Sequence, residues 1–386
     1  MKILFLSSWY PSRGKHLGNF VQKHAEAIAL QSEVAALFIS SDSNCKTKYE
    51  SEQSTINKVF TVNVYYKKVN HKVPLLSHGQ RAWRYLHAHK IGWQIVKAQL
   101  GKVDIIHHNI LYPAGIFALI LKWLHGYKYI VSEHSTEYLP SNTKRFSLAR
   151  RIGGYMIAKG ASCITVVSEN LKNAMLRHGL KSNYELVYNV VDTDLFLPRH
   201  TDKGKFKLIH ISTFNDRHKN ISGMLRAIGR LAQQRNDFEC WLVGDGDLTP
   251  HIALSKELGI YNSAVFFDGI KTSAEIAQIM GSADCLFMFS NYENLPVVIV
   301  ESLACGLPVL SSDVGGIAEH ITESNGILVP AGDEDALLKG FNTMLDNLME
   351  KKYDAMALRD YAVKNFSYLE VSKKFHHIYS QALNNV

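Results

Sequence analysis

Two carboxylates share one short segment, Glu293 and Glu301, in the string Ser290-Asn291-Tyr292-Glu293-Asn294-Leu295-Pro296-Val297-Val298-Ile299-Val300-Glu301. An ionised carboxylate only accepts hydrogen bonds, which suits it to sugar hydroxyls. Pro296 fits the first turn of a helix, where its missing N–H costs nothing, and Gly306 followed by Pro308 supplies a stop. A helix over 296–305 is therefore predicted. Its amino end carries roughly half a positive charge and unpaired N–H groups, a ready site for a phosphate. Pro296 has no N–H to offer, so the donors to an anion are expected from Asn294, Leu295 and Val297. By spacing alone, the two acids could equally be a helix-end acid and a surface acid.

Other residues could join such a site. Lys219 lies in Asn215-Asp216-Arg217-His218-Lys219-Asn220, after a predicted strand; a lone loop lysine is usually solvated. His134 ends a strand in Ser132-Glu133-His134. The stretch from Gly14 to Gly18, followed by Asn19 and Phe20, opens a helix, and glycine there lets backbone approach a phosphate or an acceptor. Two D-x-D strings, Asp245-Gly246-Asp247 and Asp192-Thr193-Asp194, resemble metal-binding motifs. The first reads as a tight turn into a helix and the second as linker, so no metal role is expected. Gly244 and Gly246 lack the third glycine of a dinucleotide fingerprint.

The elements that must position these residues alternate. Short apolar runs at 3–6, 34–39, 104–107, 129–132 and 163–167 read as buried strands, with helical patterns such as 19–30 and 114–124 between them. The rhythm restarts at 206–212, 238–243, 264–267, 285–289, 308–311 and 326–329. Two such series predict an α/β protein of two doubly wound, Rossmann-like parallel-sheet domains. The break falls in the polar, proline-bearing segment 188–199, which gives domains at 1–190 and 191–368 and a hinge near 189–198. A closing helix at about 369–386 follows the second series and is expected to pack back on the first domain.

The spacing of Glu293 and Glu301 (E-x7-E), the run into Ala304-Cys305-Gly306-Leu307-Pro308-Val309, and Gly315-Gly316 resemble the retaining glycosyltransferases of family 4, which have the GT-B fold. The resemblance covers nearly the whole chain, strongest over 242–330 and weakest over about 46–102. It implies two domains facing a central cleft and a nucleotide-sugar donor, UDP- or GDP-linked, with no metal or other cofactor. It assigns Glu301 to the donor ribose, Glu293 and His134 to the transferred sugar, and Lys219 to the diphosphate, so that Glu293, His134 and Lys219 are the catalytic candidates. It places Gly18 and Asn19 at the phosphate or acceptor, and Ser168 and Asn189 along the cleft. The family pattern has an arginine six residues before the lysine. Thr213 stands there, and Arg217, at a different spacing, is the candidate to take part of its role. The same fold hosts sugar nucleotide epimerases and phosphorylases, and a binding protein without turnover is a further alternative.

Charge speaks to partners. The chain carries +8 formal charge in 386 residues. The stretches 53–103 and 138–163 hold no Asp or Glu after residue 52 and 137 respectively, while Lys, Arg, Trp and Tyr recur in them. This composition suits an anionic membrane surface and a glycan or lipid-linked acceptor, as in bacterial surface polysaccharide assembly. No nucleic-acid-binding motif accompanies it. Residues 3–8 read as a strand rather than a leader, the longest apolar run is far short of a membrane span, and the five cysteines show no metal spacing. The expected location is the cytoplasm, peripheral at the inner face of the membrane.

Overall fold

The run Ile-Leu-Phe-Leu near the start of the chain is fully buried in β1 (Lys2–Ser7), as required of a strand covered on both faces. The computed structural model describes residues 1–13, 18–68, 74–142, 146–199 and 204–384, with backbone only for 74–78. It divides into two units: Met1–Val167, Leu171–Val190 and Tyr368–Val386 form one, and Ser168–Asn170 with Val191–Ser367 the other.

The first unit continues through α1 (Asn19–Ile28), β2 (Glu33–Asp42), β3 (Tyr49–Ile56), β4 (Val59–Lys67), α2 (Pro74–Leu100), β5 (Ile105–Asn109), α3 (Gly115–His125), β6 (Tyr129–Glu133), α4 (Leu148–Gly160), β7 (Cys163–Val166), α5 (Glu169–Arg177, whose first two residues group with the second unit) and β8 (Tyr184–Leu186). Its sheet has the order β3-β4-β2-β1-β5-β6-β7-β8. All neighbours are parallel except β3 and β4, which form an antiparallel hairpin. This sheet has three strands beyond the five expected, β3, β4 and β8.

The second unit runs β9 (Phe206–Thr213), α6 (Asp216–Lys219), α7 (Ile221–Ala232), β10 (Phe238–Asp245), α8 (Thr249–Glu257), β11 (Val265–Asp268), α9 (Ser273–Gly281), β12 (Cys285–Met288), α10 (Val297–Ala304), β13 (Val309–Ser312), β14 (Gly326–Val329), α11 (Glu334–Met349) and α12 (Ala355–Phe366). Its six strands lie in the order β11-β10-β9-β12-β13-β14, all parallel. Leu208, Cys240, Phe287 and Leu310 on the sheet pack with Leu225, Ile228, Leu337 and Phe341 of the covering helices.

The last helix, α13 (Tyr368–Asn384), belongs to the first unit. Val371, Phe375 and Tyr379 enter the core built by Ile3, Phe5 and Ile130. Polar bonds fix its rotation: the Tyr379 hydroxyl is 2.6 Å from His107 Nδ1, and the Tyr368 hydroxyl donates to Glu26 at 2.9 Å. The five cysteines are all buried and unbridged. Among the described residues no helix is long and apolar enough to cross a membrane.

Candidate active site

In each sheet the chain builds strands to one side and then crosses to the other. In the second unit the reversal falls between β9 and β12, since β10 and β11 lie beyond β9 while β13 and β14 lie beyond β12. Ligands in open α/β sheets bind at the carboxyl ends of the strands flanking such a reversal. Here those ends are Thr213 and Met288, and the segments leaving them carry Lys219 and Glu293.

The two segments are stitched together. Asn291 donates from its backbone N–H to the His218 carbonyl at 2.8 Å and from Nδ2 to the Arg217 carbonyl at 3.0 Å. The His218 ring stacks on Tyr292 at 4.3 Å between centroids, with Nε2 2.8 Å from the Tyr292 carbonyl. On this frame Lys219 Nζ donates to Glu293 Oε1 at 2.5 Å, and His218 Nε2 lies 3.5 Å from the same oxygen. Glu293 is only 5% exposed. Burial pushes its carboxyl up, but Lys219 and His218 together more than reverse this and hold it at about 2. It is therefore a carboxylate at any physiological pH. His210, on β9, is buried with its ring nitrogens against the Phe287 carbonyl and Ser212 Oγ, and burial lowers it to about 4.

Gly315 fits against this loop. Its φ is +64°, and a Cβ there would lie 1.9 Å from the Glu293 carbonyl oxygen. The adjacent Gly316 N–H donates to the Asn294 carbonyl at 2.8 Å. The loop bearing Glu293 is thus held by backbone on both sides.

Pro296 is the N-cap of α10, extended at ψ 132°, rather than a residue of the first turn. The helix proper runs from Val297 to Ala304, inside the expected 296–305. Proline offers no side-chain acceptor, so the N-cap residue itself makes no side-chain cap bond. No acid lies in the first turn either, so the positive end of the helix dipole is left uncompensated by its own residues. Asn294 and Leu295 are buried before it, and Glu301 is buried in its second turn. Thr213 and Arg217 are exposed at the end of β9 and in α6.

The structure thus brings Lys219 and Glu293 into contact and places Glu301, Asn294, Leu295, Val297, Thr213 and Arg217 on the same unit. His134, Gly18 and Asn19 lie on the other unit. There the His134 ring is 5.1 Å from both Phe20 and His24 of α1, and burial keeps it well below the usual histidine range. Gly18 is the N-cap of α1 at φ +91°, and a Cβ would lie 2.6 Å from the Trp9 carbonyl carbon, so close backbone packing alone requires glycine there. Asn19 is the exposed first residue of α1. Residues 14–17 of the expected loop lie outside the described residues. The D-x-D carboxylates serve local backbone: Asp247 accepts from Thr249 N–H at 2.9 Å, and Asp192 from Asp194 and Leu195 N–H at 3.1 and 3.0 Å.

Two contributors carry little signal in sequence. His218 is marked only by its place beside Lys219. Glu133 sits next to His134, fully buried, and accepts backbone N–H bonds from Leu111, His134 and Ser135 at 2.9, 2.8 and 2.8 Å. Burial raises its carboxyl and these bonds oppose the rise.

Comparison with known proteins bears directly on this arrangement. A model described as Glycosyltransferase Family 4 matches residues 48–195, and one described as Glycosyl transferases group 1 matches residues 205–347. The chain is a GT-B glycosyltransferase of the family 4 type. This glycosyltransferase is 26% identical over 293 residues to an uncharacterised glycosyltransferase of Methanocaldococcus jannaschii, covering 74% of this chain and 77% of that one. Sucrose-phosphate synthase from Thermosynechococcus elongatus shares its fold with a TM-score of 0.76 at 20% identity, covering 98% of each chain. Anabaena HepE in complex with UDP shares it with a TM-score of 0.73 at 18% identity, over 99% of this chain and 100% of that one.

Proposed function

We propose that this glycosyltransferase is a retaining, metal-independent hexosyltransferase. Its donor is a UDP- or GDP-linked sugar, and its acceptor is a glycan or lipid-linked glycan in bacterial surface polysaccharide assembly at the cytoplasmic face of a membrane. One observation carries the reading: the buried Lys219–Glu293 pair at the carboxyl ends of β9 and β12, next in sequence to a helix start whose N-cap residue, Pro296, makes no side-chain cap bond. A similarly folded protein, Anabaena HepE, was solved with UDP, which supports a nucleotide donor.

In this reading the N–H groups at the start of α10, around Leu295 and Val297, hold the diphosphate together with Lys219. Thr213 brings no charge, and the exposed Arg217 supplies the second cation. Glu301 accepts from the ribose hydroxyls and Glu293 from the sugar. The roles of His134, Gly18 and Asn19 are those the family resemblance gives. The bond from the anomeric carbon to the diphosphate oxygen breaks, with its electron pair leaving on the diphosphate. The acceptor oxygen bonds to that carbon on the same face, and its proton passes to a donor phosphate oxygen. Fixed positive groups at the leaving diphosphate lower the barrier as charge develops there.

A thermal-shift panel of nucleotide-diphosphate sugars tests the reading. A true donor at about 100 times its Kd stabilises by about 2.7 kcal/mol, and Lys219→Ala should abolish the shift. No shift from any donor would sink the proposal. Donor binding without turnover would make the chain a binding protein, and release of an epimer or a sugar phosphate would move it to another reaction.

A further inference from the structure

In space, acids of a neighbouring strand lie beside part of the acid-free stretch 53–103. β3 runs antiparallel to β4 and sets Glu50 opposite Tyr65 and Glu52 opposite Asn63. Beside the stretch 138–163, Glu137 pairs with Arg150 at 2.5 Å, and Glu133 is buried and held by backbone N–H groups.

Helix α4, within that stretch, is turned inside out. Its buried residues are small or few: Gly154, Ile157 and Ala158. Leu148, Ile152, Tyr155 and Met156, spaced i, i+4, i+7 and i+8 along one face, are 70, 53, 50 and 39% exposed. Arg151 and Lys159 are exposed along the same side of the helix. Lys122 Nζ donates to the Gly160 carbonyl at 2.7 Å, joining α3 to the last turn of α4. A cavity of about 830 Å³ adjoins the helix, and its lining includes Leu111, Phe146 and Leu180 together with Arg150, Arg151 and Arg177.

We propose that the outer face of α4, with this cavity, docks the chain on an anionic lipid bilayer. An apolar stripe flanked by cations and free of acids complements a surface of phosphate headgroups over acyl chains. Leu148, Ile152 and Tyr155 enter the boundary between headgroups and acyl chains, Arg151 and Lys159 remain at the phosphates with their stems along the apolar surface, and the cavity receives a lipid phosphate against its guanidinium groups. The inference deepens the lipid-linked reading of the acceptor and takes its support from the helix itself, so vesicle binding and donor binding can fail separately.

Flotation of the full chain with vesicles tests it. Vesicles containing phosphatidylglycerol should bind the protein at low salt and release it at high salt, and pure phosphatidylcholine vesicles should bind it on the order of tenfold less, because the charge is what they lack. The double variant Leu148→Glu with Ile152→Glu should lose binding, and Arg151→Gln with Arg177→Gln should weaken it. Met349→Glu, at an exposed site on the second unit, should leave it unchanged. An unaltered melting temperature and donor shift in each variant show that the fold and donor site survive. Equal binding to neutral and anionic vesicles, binding unchanged in the α4 variants, or an α4-dependent dimer without vesicle binding would each overturn the proposal.

Discussion

Lys219 Nζ and Glu293 Oε1 lie 2.5 Å apart although 74 residues separate them in the chain. Each side chain is nearly buried, so removing one leaves the other uncompensated. Loss of either partner from a buried pair typically costs about 3–5 kcal/mol, while replacing both with apolar groups costs far less. Lys219→Met and Glu293→Gln should therefore each destabilise, and the double variant carrying both should lose less than the sum of the two. Urea denaturation of the four proteins measures the coupling. The pH dependence has a definite sign. Glu293 falls from 4.5 to about 2 on folding, so its contribution is complete above about 4.5 and disappears as pH drops from there toward 2.

The same two substitutions should separate in kinetics. A cation on the diphosphate acts in the ground state as well as the transition state, and a hydrogen bond to a charged group contributes about 1.5–3 kcal/mol. Lys219→Met should therefore weaken donor binding at least about tenfold. Under the proposed role of Glu293 at the sugar, Glu293→Gln should lower kcat more than donor affinity, because a carboxylate there acts mainly as charge moves at the anomeric carbon. Isothermal titration with donor alone, set beside initial rates, distinguishes the two. Equal losses in both quantities for Glu293→Gln would remove it from the sugar.

Gly315→Ala should damage the site without touching a ligand directly. The left-handed backbone at +64° costs a side-chain-bearing residue about 1–2 kcal/mol, and the new methyl would meet the Glu293 carbonyl at 1.9 Å. The loop must move, taking Glu293 away from Lys219. The expected result is a lowered melting temperature together with a lost donor shift. A variant that melts lower but binds donor normally would show that the loop tolerates displacement.

Much of this was legible in the sequence, for reasons that differ by region. The six strands of the second unit are short apolar runs between glycines, prolines and polar turns, so their pattern announces them. The hairpin of the first unit does not announce itself. β3 is Tyr-Glu-Ser-Glu-Gln-Ser-Thr-Ile, mostly exposed, with no apolar face to read. Its turn uses Asn57 and Lys58, both at positive φ (48° and 67°), without the glycine that marks such turns. β8 is only three residues long. For the site, residue types and helix punctuation picked out Glu293 and α10, but the contact with Lys219 depends on β9 and β12 lying side by side, a fact of topology rather than of spacing. The stacking of His218 on Tyr292 rests on the same neighbourhood.

Glu133 should prove structural in a way its neighbour His134 does not. Its carboxylate satisfies three buried N–H groups that position the segments after β5 and β6. Glu133→Ala would strand them, and a buried unsatisfied donor costs about 1–3 kcal/mol. A loss of at least that size is expected in urea denaturation. Glu133→Gln keeps one acceptor oxygen and should lose less. His134→Ala leaves those bonds in place, so it should lower activity with a smaller effect on stability. Matching stability losses in Glu133→Ala and His134→Ala would contradict this division.

Acid should open the first unit before the second. Burial lowers His24 and His89 to about 4 and His108 to about 3, and drives His107 and His134 well below their usual value. A histidine held neutral in the fold but free to ionise when unfolded binds more protons in the unfolded state, so stability rises with pH. The contribution is complete above about 6.5 and falls as pH drops toward the folded values, at roughly 1.4 kcal/mol per pH unit for each ring still neutral. Glu133, raised by burial, works in the opposite direction, one group against five. In the second unit, burial lowers His210. Hydrogen exchange at pH 7.5 and 5.5 measures the difference. Amides of β5, β6 and α13, which surround His107 and its bond to Tyr379, should lose protection at the lower pH while those of β9 and β12 keep theirs; equal loss in both sheets would show that these buried rings do not govern acid stability.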